Sequence, residues 1–103
     1  MTASSIYEAF SKQLNSQFEV ETDENRGGVK VELVEISDLK LYPHQEEFTI
    51  VFRGPLDVFL GQGTRSFTHE KMGQQDIFIV PIQQDENGFY YEAVFNRLRN
   101  TNE

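Results

Sequence analysis

Few residues in this chain have the types and spacing that chemistry needs. There are two histidines, His44 and His69, far apart, and no cysteine. A zinc site wants three or more protein ligands, usually with one close pair, and neither HxH nor HxxxH occurs. Without a thiol there is no disulfide, no thiolate nucleophile and no Cys-based metal site. No serine sits in a G-x-S-x-G nucleophile elbow. The paired carboxylates Asp23-Glu24 and Glu46-Glu47 point to opposite faces of an extended strand, so neither pair converges on a substrate. Asp23-Glu24-Asn25 and Asp85-Glu86-Asn87-Gly88 lack the alternating ligands and closing Glu of a calcium loop. They read instead as turns, because Asp, Asn and Gly tolerate turn conformations. Gly61-Gln62-Gly63-Thr64 lacks the Lys and the following helix of a phosphate loop. These patterns predict no enzyme, no cofactor and no metal.

What remains are candidates for contact. Arg53 ends an apolar strand just before Gly54-Pro55. It either pairs with a carboxylate or loop carbonyls at the strand end, or meets a ligand. Phe89-Tyr90-Tyr91 puts aromatic rings on both faces of a strand, as core or as a binding platform. Arg53, His69 and Tyr91 near one mouth of a barrel would make a small-molecule pocket, with Gln62 as a further contact.

The elements that must position these side chains follow from periodicity. Ser5-Ile6-Tyr7-Glu8 has the form of a capping box. Ile6, Phe10, Leu14 and Phe18 recur at spacings of four, which predicts a helix over about 6–16 docked through that stripe. From Phe18 the period becomes two. Phe18 and Val20 alternate with Glu19 and Glu21. After a turn cluster, Val29, Val31 and Leu33 alternate with Lys30 and Glu32, giving a hairpin. The shift of parity to Val34 and Ile36 predicts a bulge near Leu33-Val34. The polar stretch from Ser37 to Glu47 reads as a loop, Phe48 to Arg53 as a strand, and Leu56 to Thr64 as a turn or short irregular strand. Arg65 to Lys71 alternates. Ile77-Phe78-Ile79-Val80 is apolar on both faces, which predicts a central, doubly covered strand ended or edged by Pro81. Phe89 to Asn96 forms the last strand, and 97–103 a polar tail.

No helix separates the strands, so an antiparallel meander over about 18–96 is expected. The fold class is α+β, mainly β. An N-terminal helix packs on a strongly bent antiparallel sheet, or partly closed barrel, of about six strands in a single domain, 1–103. An exposed edge strand could pair two copies into a homodimer.

Charge narrows the partners. Nine Lys and Arg stand against seventeen Asp and Glu, a net charge of −8. The cations are scattered, which disfavours nucleic acid and anionic membranes. Acidity gathers on one predicted hairpin, at Glu19, Glu21, Glu32 and Glu35, a face suited to a basic protein partner. The segment Met1-Thr2-Ala3-Ser4-Ser5 has neither a basic n-region nor an apolar h-region, so a cytoplasmic location is expected.

Several residues together resemble a family. They are Phe48, then Phe52-Arg53-Gly54-Pro55, Leu60-Gly61-Gln62-Gly63-Thr64, His69, Gly73, Phe78-x-Val80-Pro81-Ile82 and Tyr91-Glu92-Ala93-Val94-Phe95-Asn96. Their order is similar to that of a family of small uncharacterised bacterial proteins, a domain of unknown function. The likeness covers about Phe18 to Asn96. This chain has Arg65 where that pattern has an aromatic, and Gly61 where it has a Pro, so the Leu60–Arg65 loop departs from it. Some relatives lie near genes for phage-tail-collar-like proteins. A compact acidic β-domain, no convergent catalytic group and this family context together lead to the expectation of a non-enzymatic protein-binding or assembly module, an accessory to a phage-tail-like or secreted-particle protein. The alternative is a small-molecule-binding β-barrel with a ligand at its mouth.

Overall fold

The change of period from four to two marks a change from helix to barrel wall. The computed structural model describes residues 3–22 and 28–98. Helix α1 spans Ala3–Ser11. It begins before the expected cap, so Ser5 lies inside it, and it stops short of residue 16. Past its end the amides of Gln13 and Leu14 reach back only three residues, to the carbonyls of Phe10 and Ser11. Asn15 then takes φ 71, a left-handed conformation that Asn accepts more readily than most residues. Its N–H reaches the Leu33 carbonyl at 2.7 Å, while the Leu33 N–H reaches the Ser16 carbonyl at 3.0 Å. The four-residue stripe is thereby cut in two: Phe10 is fully buried, Leu14 is exposed, and Phe18 belongs to the first strand.

Seven strands follow: β1 Gln17–Val20, β2 Val29–Ile36, β3 Lys40–Leu41, β4 Gln45–Gly54, β5 Gly63–His69, β6 Gly73–Asp85 and β7 Gly88–Leu98. Hydrogen bonding runs in the order β2-β1-β5-β6-β7-β4, and β2 pairs with β4 again. The six strands thus close into an antiparallel barrel, with β3 added on β4 outside the ring. The molecule is mainly β, its helix a short piece packed on β4 and β7. Closure corrects the simple meander. The strands form two three-strand runs, β1-β2-β4 and β5-β6-β7, joined by a connection over 55–62 between strands that are not neighbours.

Several expectations shift locally. The predicted bulge is there: Leu33 faces Phe52 and Glu35 faces Val51, leaving Val34 as the extra residue. The polar stretch expected as a loop holds β3, which pairs with the start of β4 through Lys40–Glu47 and Leu41–Glu46. Ile77 and Ile79 are buried, but Phe78 between them is 51 % exposed. The strand is therefore covered on one face only, because a single-layered barrel leaves its outer surface to solvent. Pro81 does not end it; β6 runs on to Asp85, with a register shift between Pro81 and Gln83 beside the missing donor. The last strand extends through Leu98, into the expected polar tail. The turn at Asp23-Glu24-Asn25 lies outside the described residues.

Aromatic rings fill the barrel. Phe48, Phe52, Phe67 and Tyr91 are buried, and Phe10 of α1 packs on Phe18 and Phe95 at 6.2 and 5.2 Å between ring centroids. Burying each such ring stabilises by roughly 1.5–3 kcal/mol.

Candidate functional site

Tyr91, expected at a barrel mouth, is a strut of the core. Its register partner on β4 is Phe52. Its Oη accepts the Leu60 N–H at 2.9 Å, which fastens the 55–62 connection over the barrel. Burial pushes its pKa above the ordinary value, against the opposing pull of the Leu60 N–H and of Arg65. Phe59 lies over it, edge-on to Phe89 at 5.1 Å. Arg65 closes the same loop, donating to the Gly61 carbonyl from Nη2 at 3.3 Å and from Nε at 3.4 Å. The two residues that depart from the family pattern therefore bond each other.

His69 is also buried. Its Nδ1 accepts the N–H of Lys71 at 3.0 Å and of Met72 at 3.3 Å, which ties the β5–β6 turn. With Nδ1 accepting, the proton belongs on Nε2, which faces Ser16 Oγ at 2.9 Å. Ser16 in turn donates its hydroxyl proton to the Gln13 carbonyl at 2.6 Å. A serine hydroxyl directed at a carbonyl, beside an imidazole whose Nδ1 is taken by backbone donors, is the reverse of an activated nucleophile. The pair is a latch between the α1–β1 junction and the β5–β6 turn.

Arg53 stands outside the barrel. Its Nη2 donates to Glu32 Oε1 at 2.7 Å, with about a third of each side chain exposed. Directly opposite on β7 is Tyr90, whose hydroxyl donates to Asp85 Oδ2 at 3.0 Å. That hydrogen bond is the main cause that raises the Tyr90 pKa, helped by burial and the Asp85 charge and opposed by Arg53. Asp85 Oδ1 also accepts the Asn87 N–H at 2.8 Å, so this acidic segment is the turn it was read as.

Arg53, His69 and Tyr91 are thus not brought together. Tyr91 lies under the connection entering β5, His69 ends β5, and Arg53 faces outward. Between the two buried side chains sit Phe18, 4.5 Å from the His69 ring, and Phe52, 5.2 Å from Phe18. Gln62 is exposed just before β5, two residues after the Leu60 that bonds Tyr91. The acidic hairpin is interrupted as well: Glu19 faces Lys30, and Glu32 is paired with Arg53. Glu21 and Glu35 remain exposed without an ion pair among the described residues. Surface grooves of about 540 and 210 Å³ flank Gln17 and Lys30, the first against His69 and Glu70, the second against Arg53 and Asn87.

The outer face of β6 and β7 is different. Phe78, Ile82 and Val94 stand there about half exposed, with Val80 and Glu92 beside them. The unbroken apolar run at 77–80 carried that signal, since it leaves no polar residue to point outward.

Fold and surface together define a small, closed antiparallel β-barrel with a buried aromatic and aliphatic core. The chain belongs to the family described as a domain of unknown function, DUF6916, whose pattern matches residues 6–95. No curated protein and no solved structure matches it significantly. No helix among the described residues is long and apolar enough to cross a membrane.

Proposed function

We propose that this domain is a non-enzymatic protein-binding or assembly module acting through the outside of its barrel. The observation that carries the reading is the exposed apolar face of β6 and β7, at Phe78, Ile82 and Val94. Exposed side chains of that size on one sheet face favour burial against another protein. The separation of Arg53, His69 and Tyr91 favours this over a ligand at the barrel mouth, and the His69 Nδ1 taken up by backbone donors favours it over catalysis. Scattered cations favour protein over nucleic acid or membrane as the partner. The family resemblance suggests the setting, a bacterial accessory to a phage-tail-like or secreted-particle protein, and the lack of cysteine and of a signal-peptide pattern suggests the cytoplasm.

Capture from the native host tests the reading. The wild-type chain should retain a partner that a Phe78→Ser, Val94→Lys variant loses, with both showing the same circular dichroism. Equal recovery by the two would overturn it. Sedimentation of the purified chain separates a foreign partner from self-pairing: a homodimer broken by the same variant assigns the face to a second copy.

A further inference from the structure

A second surface, independent of that outer face, lies between α1 and the β5–β6 turn. A solvent-open groove of about 480 Å³ is bounded by Ile6, Ala9, Lys12 and Gln13 on one side, and by Lys71, Met72 and Gln75 on the other. Ile6 and Met72 form its apolar floor, packed against the core. Lys12 and Lys71 are exposed at its rim. The side-chain amides of Gln13 and Gln75 make no hydrogen bond among the described residues.

These two lysines are the charged residues among those that line the groove, and neither lies opposite a carboxylate across a strand pair. Lys30 faces Glu19, Lys40 faces Glu47, and Arg97 faces Glu46 across strand pairs. Arg53 is bonded to Glu32, and Arg65 to the Gly61 carbonyl. Lys12 and Lys71 have no carboxylate partner among the described residues, in a chain of net charge −8. At physiological salt, charges beyond about 8 Å are largely screened, so the two lysines that line the groove weigh more there than the chain's distant carboxylates.

We infer that this groove binds an acidic segment of a partner protein carrying an apolar anchor residue. Each part of the groove has a matching part in such a segment. The ammonium groups meet its carboxylates, and the free amides take its backbone N–H and C=O. The Ile6–Met72 floor takes the anchor, and the unbranched Met72 side chain can adapt to its shape.

The test is an NMR titration of the ¹⁵N-labelled full chain with a synthetic nonapeptide, a central Phe between runs of Asp and Glu. Saturable shifts are expected at the amides of Ala9, Lys12, Lys71 and Met72. A Lys12→Glu, Lys71→Glu variant should bind about tenfold or more weakly, and should instead take a peptide with Lys in place of Asp and Glu. Replacing the Phe by Ser should weaken wild-type binding by about tenfold. Both substituted positions are exposed, so the variant's spectrum should keep its dispersion. Absence of saturable shifts at those amides, shifts confined to β6 and β7, or equal affinity for the variant would each overturn the inference. The Phe78→Ser, Val94→Lys variant should bind the peptide normally, so failure here is distinguishable from failure of the outer-face reading.

Discussion

Tyr91 accepts a buried backbone donor and His69 accepts two part-buried ones, so substitutions at both test the account at the residue scale. Tyr91→Phe removes the acceptor of the Leu60 N–H and should lower unfolding stability by about 1–3 kcal/mol in a urea titration. His69→Ala removes the acceptor of the Lys71 and Met72 N–H groups together with a buried ring, and should cost a similar amount, about 1–3 kcal/mol. In His69→Asn, a side-chain oxygen close to the place of Nδ1 should recover part of that loss by holding the turn, while the link to Ser16 stays broken. Tyr91 also sets a pH dependence. Burial raises its pKa above the ordinary 10.0, so the anion is disfavoured in the folded chain. The stability linked to it is complete below pH 10.0 and is lost as the pH rises through the raised value. Base unfolding monitored by circular dichroism should therefore show a decline above about pH 10 that Tyr91→Phe flattens. His69 and Tyr91 were singled out from sequence as contact residues. Sequence could not assign them inward, because a polar group at an alternating position serves equally as a ligand contact or as a buried strut.

Element by element, the strands were legible where one face had to be apolar. The β2 bulge followed from a change of parity at Leu33-Val34 alone. β3 was not legible: a two-residue strand has too few positions to show alternation, and the turn that joins it to β4 is closed by the Tyr42 N–H reaching the Gln45 carbonyl at 2.8 Å across Pro43-His44. Helix α1 was misplaced because Leu14 and Phe18 continue its spacing by coincidence, while the chain breaks at Asn15. Two glycines fix how β4 meets β7. A Cβ on Gly88 would collide with the Gly54 carbonyl oxygen, whereas a Cβ on Gly54 would meet side chains of Val31 and Tyr91 at 3.2 and 3.3 Å. Gly88→Ala should accordingly destabilise by roughly 2–4 kcal/mol, and Gly54→Ala by about 1–2 kcal/mol, since side chains yield more readily than a backbone. Thermal unfolding of the two variants ranks them directly.

At the scale of the whole molecule, closure decides where function can reside. The six-strand barrel buries the aromatic rings of Phe48, Phe52, Phe67 and Tyr91 in its core, which is why the proposed recognition is assigned to its surface. That conclusion was only half legible in the sequence. Composition showed that the Phe and Tyr residues must build the core. It did not show which strand faces would stay bare, because the long-range β1–β5 and β4–β7 pairings are set by tertiary packing. The −8 charge likewise proved divided, with most described cations set opposite carboxylates and one lysine pair left over an apolar groove. The central claim is that Phe78, Ile82 and Val94 meet a protein. Its most direct test places a photo-crosslinking benzoylphenylalanine at position 94, and separately at exposed Asp57, and irradiates each chain in native-host cells. The account predicts a discrete covalent adduct from position 94 and none from position 57. No adduct from position 94, or the same adducts from both, would contradict it.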